Sequence, residues 1–199
     1  MSAAFDHVAD GAIRLLDAHE LAPELRRRLD ARVERLGYLG GFFRVAARQP
    51  AALAAFIDFT EAGKDALPDD LVEVVALTCA TVQRNDYERH QHERLAVRLG
   101  LDASWVAAVE RLDLLDATLT PAQRCVQRYV LDALADGGHG ATPALRVMAE
   151  MLGEAAAVAV MLVCGRYVAH ALVVNSCVIA PPVPSIFAAD DDAPARTRP

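Results

Sequence analysis

The sequence predicts an all-α fold, and three observations carry that reading. Ala, Leu, Arg and Glu dominate a chain in which only 6% of residues are aromatic, a composition that favours helices and gives strands little to pack with. Apolar residues recur at helical spacing along most of the chain. The breaks between those stretches carry helix punctuation, namely proline at the first helical position and glycine after the last. With 199 residues, 54% of them hydrophobic, the chain is long enough for one sizeable core. A single domain over residues 1–180 is expected, followed by a Pro/Asp-rich, flexible tail over 181–199 with five prolines and the run Asp190, Asp191, Asp192.

Taken in order, residues from about Ala3 to Ala18 alternate apolar and polar at helical spacing, and Pro23 to Leu36 forms a second surface helix rich in Arg and Glu. Gly37, Gly40 and Gly41 turn the chain before Phe42, Phe43, Val45 and Ala46, and Pro50 opens a helix carrying Leu53, Phe56, Ile57 and Phe59. The next helix starts after Pro68 with Asp69, Asp70 and Glu73 near its N-terminus, where negative charge is favoured, and runs to about Gln83. A polar break at Arg84, Asn85 and Asp86 leads into a helix from Tyr87 to Arg98, stopped by Gly100, so the two form a helical hairpin. Asp102 to Leu112 is a shorter helix, and Thr120 with Pro121 starts another to about Ala135. Past a glycine-rich loop, Thr142 and Pro143 repeat the start signal, and a long apolar run follows from Ala155 to Ala180. Arg166 near its middle is costly in lipid and no basic cluster flanks the run, so a buried helix is expected rather than a membrane span.

A net charge of −7 lacks the basic footprint of a nucleic-acid binder. The N-terminus has no secretory pattern, and Cys79, Cys125, Cys164 and Cys177 form neither a C-x-x-C pair nor a metal-ligand spacing. A cytoplasmic protein with buried, reduced cysteines and no bound metal is expected. Lys64 is the only lysine, which leaves Schiff-base chemistry one candidate, in a segment read as loop.

Asn85, Glu88 and His92 fall at i, i+3 and i+7, one face of a helix that begins by Asn85, so Glu88 and His92 can touch. A carboxylate beside an imidazole stabilises the imidazolium and orients the ring, as a general acid or base near neutral pH requires. In an antiparallel hairpin Glu73 comes level with the part of the second helix that carries His92. His90 and His92 point about 200° apart around a helix and do not share a metal. Tyr167 and His170 are i, i+3 neighbours amid apolar residues and read as core.

The hairpin from Leu67 to Gly100 resembles the core of the carboxymuconolactone decarboxylase and alkylhydroperoxidase D superfamily, through Pro68, Glu73, Tyr87 with Glu88, His92, Ala96 and Gly100. Phe42 to Phe59 looks like that superfamily's preceding segment, and Gly165, Arg166 and Tyr167 look like part of its long last helix, so the resemblance covers about residues 35 to 180. It implies the alkylhydroperoxidase D-like helical fold and a homo-oligomer, a trimer or hexamer. Peroxidases of the superfamily use two cysteines three apart, and here Asn85 and Glu88 stand at those positions, so disulfide-based peroxidase chemistry is not expected. The match leans to the decarboxylase branch, which implies a cofactor-independent acid/base enzyme acting on a small carboxylated lactone by decarboxylation or isomerisation. His92, Glu88 and Glu73 would be catalytic, with Asn85 and Tyr87 binding substrate, and neither nucleic acid nor membrane would be a partner. The alternative is a non-enzymatic oligomer of the same fold that binds a small molecule; burial of Glu73, Glu88 and His92 together favours the enzyme.

Overall fold

The computed structural model describes residues 13–188, and among these it contains nine α-helices and no strand. In chain order they are α1 (Pro23–Leu36), α2 (Gly41–Ala46), α3 (Pro50–Asp65), α4 (Asp69–Val82), α5 (Asp86–Arg98), α6 (Ala103–Glu110), α7 (Pro121–Ala135), α8 (Thr142–Leu152) and α9 (Glu154–Ser176). The all-α fold class expected from the sequence is the one observed.

The helix expected from Ala3 to Ala18 is not seen where it can be judged. Residues 3–12 lie outside the described residues, residues 14–17 form no regular secondary structure, and Ala18–Glu20 is a single 3-10 turn. Tertiary hydrogen bonds explain the difference. Leu16 N–H donates to Arg44 O at 3.2 Å, Arg44 Nε donates to Leu16 O at 2.8 Å, and Arg48 donates to Arg14 O at 2.8 Å. The backbone groups that a helix would pair internally are thus satisfied by α2 and the residues just after it.

α4 is buried on every side from Leu71 to Ala80, which makes it the axis of the molecule, with α5, α6, α7 and α9 packed around it. Its Val74, Val75, Ala76 and Leu77 have no solvent exposure, and each fully buried Val or Leu contributes roughly 1.5–3 kcal/mol. Two apolar clusters form. One joins α4, α6, α7, α8 and the first half of α9; the other joins α1, α2 and α3 with Tyr87 of α5 and Val174 of α9. α9 therefore runs through both. It is the one helix among the described residues long and apolar enough to cross a membrane, and over half of its most apolar stretch is packed inside the protein. Gly153, at φ +85°, makes the corner between α8 and α9 in a conformation that side chains rarely adopt.

Residues 181–188, the start of the segment expected to be flexible, lie along α5. Ser185 Oγ and the Ile186 N–H each donate to Glu93 Oε2 at 2.7 Å, and Arg94 donates to Pro184 O at 2.9 Å. His90 Nδ1 lies 3.1 Å from Val183 O, so His90 faces this segment rather than the side of α5 that carries His92.

Candidate active site

The turn between α4 and α5 places the first functional groups. Arg84 takes a left-handed conformation, φ +53°, and the Asn85 N–H donates to Ala80 O at 2.8 Å, which closes α4 and reverses the chain within three residues. The Asn85 side chain then accepts the Glu88 N–H at 3.2 Å as the N-cap of α5. Glu88 sits in the first turn and His92 one turn further, on the same face. Across the hairpin, Glu73 reaches His92.

The result is a buried chain of charged groups at the seam between the two apolar clusters. His92 Nδ1 is 2.8 Å from Glu73 Oε2, and His92 Nε2 is 3.1 Å from Glu88 Oε2. Tyr167 Oη stands 3.1 Å from the same Nε2. On its other oxygen Glu88 meets His170 Nε2 at 2.8 Å and accepts from Arg166 Nη1 at 3.4 Å, while Arg166 Nε donates to Thr60 Oγ1 at 3.3 Å. Glu73, Glu88, His92, Arg166, Tyr167 and His170 are all buried.

Protonation follows from these partners. Burial alone would drive His92 neutral, but the Glu73 carboxylate and the hydrogen bonds to Glu73 and Glu88 more than offset it, so its pKa is raised above the ordinary value. Burial would likewise protonate Glu88, yet the charges of His170 and Arg166 with the hydrogen bonds of both histidines hold it well below the carboxylate range. His170 goes the other way: burial lowers its pKa despite Glu88. A neutral His170 donating from Nε2 to Glu88 leaves Nδ1 as an acceptor, and among the described residues that atom has no hydrogen-bond partner. Burial keeps the Tyr167 phenol protonated.

The three residues expected to be catalytic, Glu73, Glu88 and His92, are thus brought together. Asn85 and Tyr87, expected to bind substrate, are engaged elsewhere. Asn85 is the helix cap described above. The Tyr87 hydroxyl accepts the Phe42 N–H at 3.4 Å, and Gly40 permits the approach, since a Cβ there would lie 2.5 Å from that hydroxyl. Arg166, Tyr167 and His170 complete the cluster from α9, and the signal for them in the sequence was their spacing, i, i+1 and i+4, as polar residues in an apolar run.

Lys64 corrects a further expectation. It lies in the last turn of α3, not in a loop, with Nζ 5.5 Å from the centre of the Tyr167 ring. Arg166 Cζ is 4.3 Å from the same ring. A crevice between α3 and α9, too tight to hold a water molecule, is lined by Phe59, Thr60, Lys64, Leu162, Val163 and Arg166. Cys79 Sγ and Cys164 Sγ lie 3.7 Å apart, joining α4 to α9, a pairing that their spacing of 85 residues did not reveal. Burial and the hydrogen bond to Cys164 raise the Cys79 thiol well above its ordinary value.

No family model matches the chain, and no curated protein does. Solved structures do. A cysteine-to-alanine variant of the debrominase Bmp8, in complex with 2,3,4-tribromopyrrole, is similar with a TM-score of 0.75 at 14% identity, over 87% of this chain and 93% of that one. An uncharacterized peroxidase-related protein from Ralstonia eutropha JMP134, described as an alkylhydroperoxidase AhpD core, is similar with a TM-score of 0.69 at 18% identity, over 86% of this chain and 92% of that one. At such identities the likeness establishes architecture, and the architecture agrees with the resemblance read in the hairpin: this chain has the all-α, alkylhydroperoxidase D-like fold.

Proposed function

We propose that this protein is a cofactor-independent acid/base enzyme that decarboxylates or isomerises a small carboxylated lactone or a related compound. The observation that carries the reading is the His92 imidazole held between two buried carboxylates with its pKa raised, a group that keeps a proton available near neutral pH. Loss of carbon dioxide leaves its bonding electron pair on the adjacent carbon and its conjugated carbonyl, so the site must deliver one proton and stabilise an enolate-like oxygen. His92 is the proton donor in this reading, and Glu73 and Glu88 orient it. Tyr167, hydrogen-bonded to His92, is the donor next in line. Arg166, hydrogen-bonded to Glu88 and Thr60, is the network's permanent cation and in this reading stabilises the developing negative charge.

Burial of the three groups together supports an enzyme over a binding protein whose Glu88 and His92 form a surface pair. Thiol peroxidase chemistry has the Cys79–Cys164 approach in its favour, and the hydrogen bond with Cys79 lowers the Cys164 pKa, but both thiols are buried, whereas reactive cysteines are partly exposed. Self-association is part of the proposal: Val147 and Met151 of α8 and Val158 and Leu162 of α9 are each about half exposed, an apolar set that a second copy would cover, and light scattering reads it directly.

The test is carbon dioxide release from a panel of carboxylated lactones, with the His92 titration followed by NMR in the wild type and in Glu88→Gln. The reading expects turnover of at least one lactone, lost in the variant together with a fall in the His92 pKa. No turnover across the panel and a His92 signal indifferent to every compound would overturn it in favour of a binding protein.

A further inference from the structure

The chain's four cysteines are scattered in sequence, and the fold sorts them into one pair and two singles. Cys79 of α4 and Cys164 of α9 meet with their sulfurs 3.7 Å apart, both buried in the larger apolar cluster. Cys177 lies at the far end of α9 in a separate small cluster with Leu15 and Val45, and Cys125 lies on α7. Among the described residues no other two cysteines come within hydrogen-bonding distance.

The contact has a direction. The Cys79 thiol donates to the Cys164 sulfur, which raises the pKa of Cys79 and lowers that of Cys164. Cys164 thus has the greater thiolate character, and a second sulfur stands against it. From 3.7 Å the sulfurs have only a short step to the roughly 2.05 Å of a disulfide. The helices they would join carry the two sides of the charged network. α4 supplies Glu73, and α9 supplies Arg166, Tyr167 and His170. Tyr167 follows Cys164 by one helical turn, and its hydroxyl stands 3.1 Å from His92 Nε2. A bond at Cys164 therefore fixes the rotation of α9 just where Tyr167 meets His92.

We infer that Cys79 and Cys164 are a redox-controlled lock, an intramolecular disulfide closed by small-molecule disulfides that ties α9 to α4 and displaces the network around His92. The lock does not depend on the acid/base reading. Two exchanges balance it. The Cys164 thiolate attacks a sulfur of glutathione disulfide, releasing one glutathione thiolate and leaving a mixed disulfide. Cys79 then gives up its proton and attacks the Cys164 sulfur, and the second glutathione leaves. The protein pair loses two electrons and two protons, and one glutathione disulfide becomes two glutathiones. Neither sulfur reaches solvent in the closed fold, so each exchange waits on local opening of α9 and is slow. Slow, stoichiometric closure is what separates this lock from a peroxidase that turns over. In a reducing compartment the pair stays as thiols.

The test equilibrates the folded, full-length protein in buffers of reduced and oxidised glutathione, starting from both the thiol and the disulfide form. Samples are quenched in acid, alkylated and mapped by mass spectrometry. The inference expects four alkylated cysteines to fall to two, with a peptide linking Cys79 to Cys164. Closure should occur at a glutathione ratio about a hundredfold more reducing than the same chain requires in concentrated urea, because the fold holds the sulfurs together. The oxidised protein should show a higher urea midpoint and a displaced His92 NMR signal, both reversed by dithiothreitol and both absent in Cys79→Ala and Cys164→Ala. Cys125→Ala, which keeps the pair, should behave as the wild type. Four free thiols in the most oxidising buffer, or a linked peptide joining any other two cysteines, would overturn the lock. A link that closes no more readily in the folded chain than in urea would overturn it as well. A Cys79–Cys164 link that leaves the His92 signal in place would overturn its reach to the network.

Discussion

α5 carries two buried glutamates five residues apart, about 140° around the helix from each other, and they live in opposite electrostatic settings. Glu88 faces His92, His170 and Arg166 and is held well below the usual carboxylate range. Glu93 faces a second acid, Glu110, with Arg89 the nearest cation at 3.8 Å and 3.7 Å from the two carboxylates. Burial first, and the Glu93 charge next, push Glu110 up to about 7. Glu93 Oε1 and Glu110 Oε1 have no hydrogen-bond partner of their own, and a proton on Glu110 is what lets the two acids coexist. The difference teaches that equal burial does not give equal charge: cationic partners hold Glu88 ionised against burial, whereas at Glu110 a second acid adds to what burial does. One face of α5 stores negative charge against cations, the other stores a proton and clasps residues 185 and 186.

The sharpest way to break the comparison is to remove the charge on the first face. Glu88→Leu leaves Arg166 buried without its carboxylate and strips both histidines of a partner, so about 3–5 kcal/mol of stability should be lost, read as a fall in the urea midpoint. Glu93→Leu, despite equal burial, should cost less, because it relieves the repulsion on Glu110. Equal losses at the two positions would mean that burial rather than partnership governs them.

Glu73→Gln comes next, at about 2 kcal/mol, the cost of weakening a charge-assisted hydrogen bond to His92. Its pH dependence has a definite sign. The raised His92 pKa means that its stabilisation is full below the unfolded value of 6.5 and is lost as pH rises through the folded value. The depressed Glu88 pKa means that its stabilisation is present above 4.5 and is lost as pH falls through the folded value. Both are complete between about pH 4.5 and 6.5, and Glu73→Gln should reduce the decline on the alkaline side, leaving the part that Glu110 contributes, and spare the acid side, as urea midpoints from pH 5 to 9 would reveal.

How much of this was legible in the sequence depends on whether the contact is local. Glu88 and His92 are four apart on one helix, and Glu73 is brought level with them by a tight hairpin, so pattern alone placed all three. The partners from α9 depend on that helix's rotation about its axis, and an apolar helix with no polar face offers nothing to orient it. Arg166 was read as a cost to membrane insertion and as part of a family-like last helix, and His170 as core, neither as a partner of Glu88. Lys64 was placed in a loop, whereas it lies in the last turn of α3, where Gly63 lets that helix approach α9. Asn85 and Tyr87 have the right chemistry for substrate binding, but a helix cap and the α2 backbone engage them.

Glu110→Gln tests the second face by itself. With its pKa raised, Glu110 folds at no electrostatic cost while protonated below pH 4.5, and the protein loses stability as pH rises through about 7. Replacing it with a neutral amide should therefore stabilise the protein at pH 8 and change little at pH 5. The group is only partly shielded from solvent, so the expected gain is about 1 kcal/mol after allowing for screening.

The smallest expected effect concerns the clasp. Glu93 Oε2 accepts from both Ser185 Oγ and the Ile186 N–H, each at 2.7 Å, so Ser185→Ala removes one of two donors and leaves the backbone one in place. Roughly 1 kcal/mol or less should be lost, because the Ile186 N–H still donates to Glu93 and its side chain still packs against the larger apolar cluster. Hydrogen exchange at the Ile186 amide reads that loss without global unfolding: it should speed up several-fold in Ser185→Ala while the amides of α4 keep their wild-type rates. Faster exchange in α4 as well would tie the clasp to the core. The two faces of α5 would then be one cooperative unit, and the charge stored at Glu88 would depend on the segment bound at Glu93.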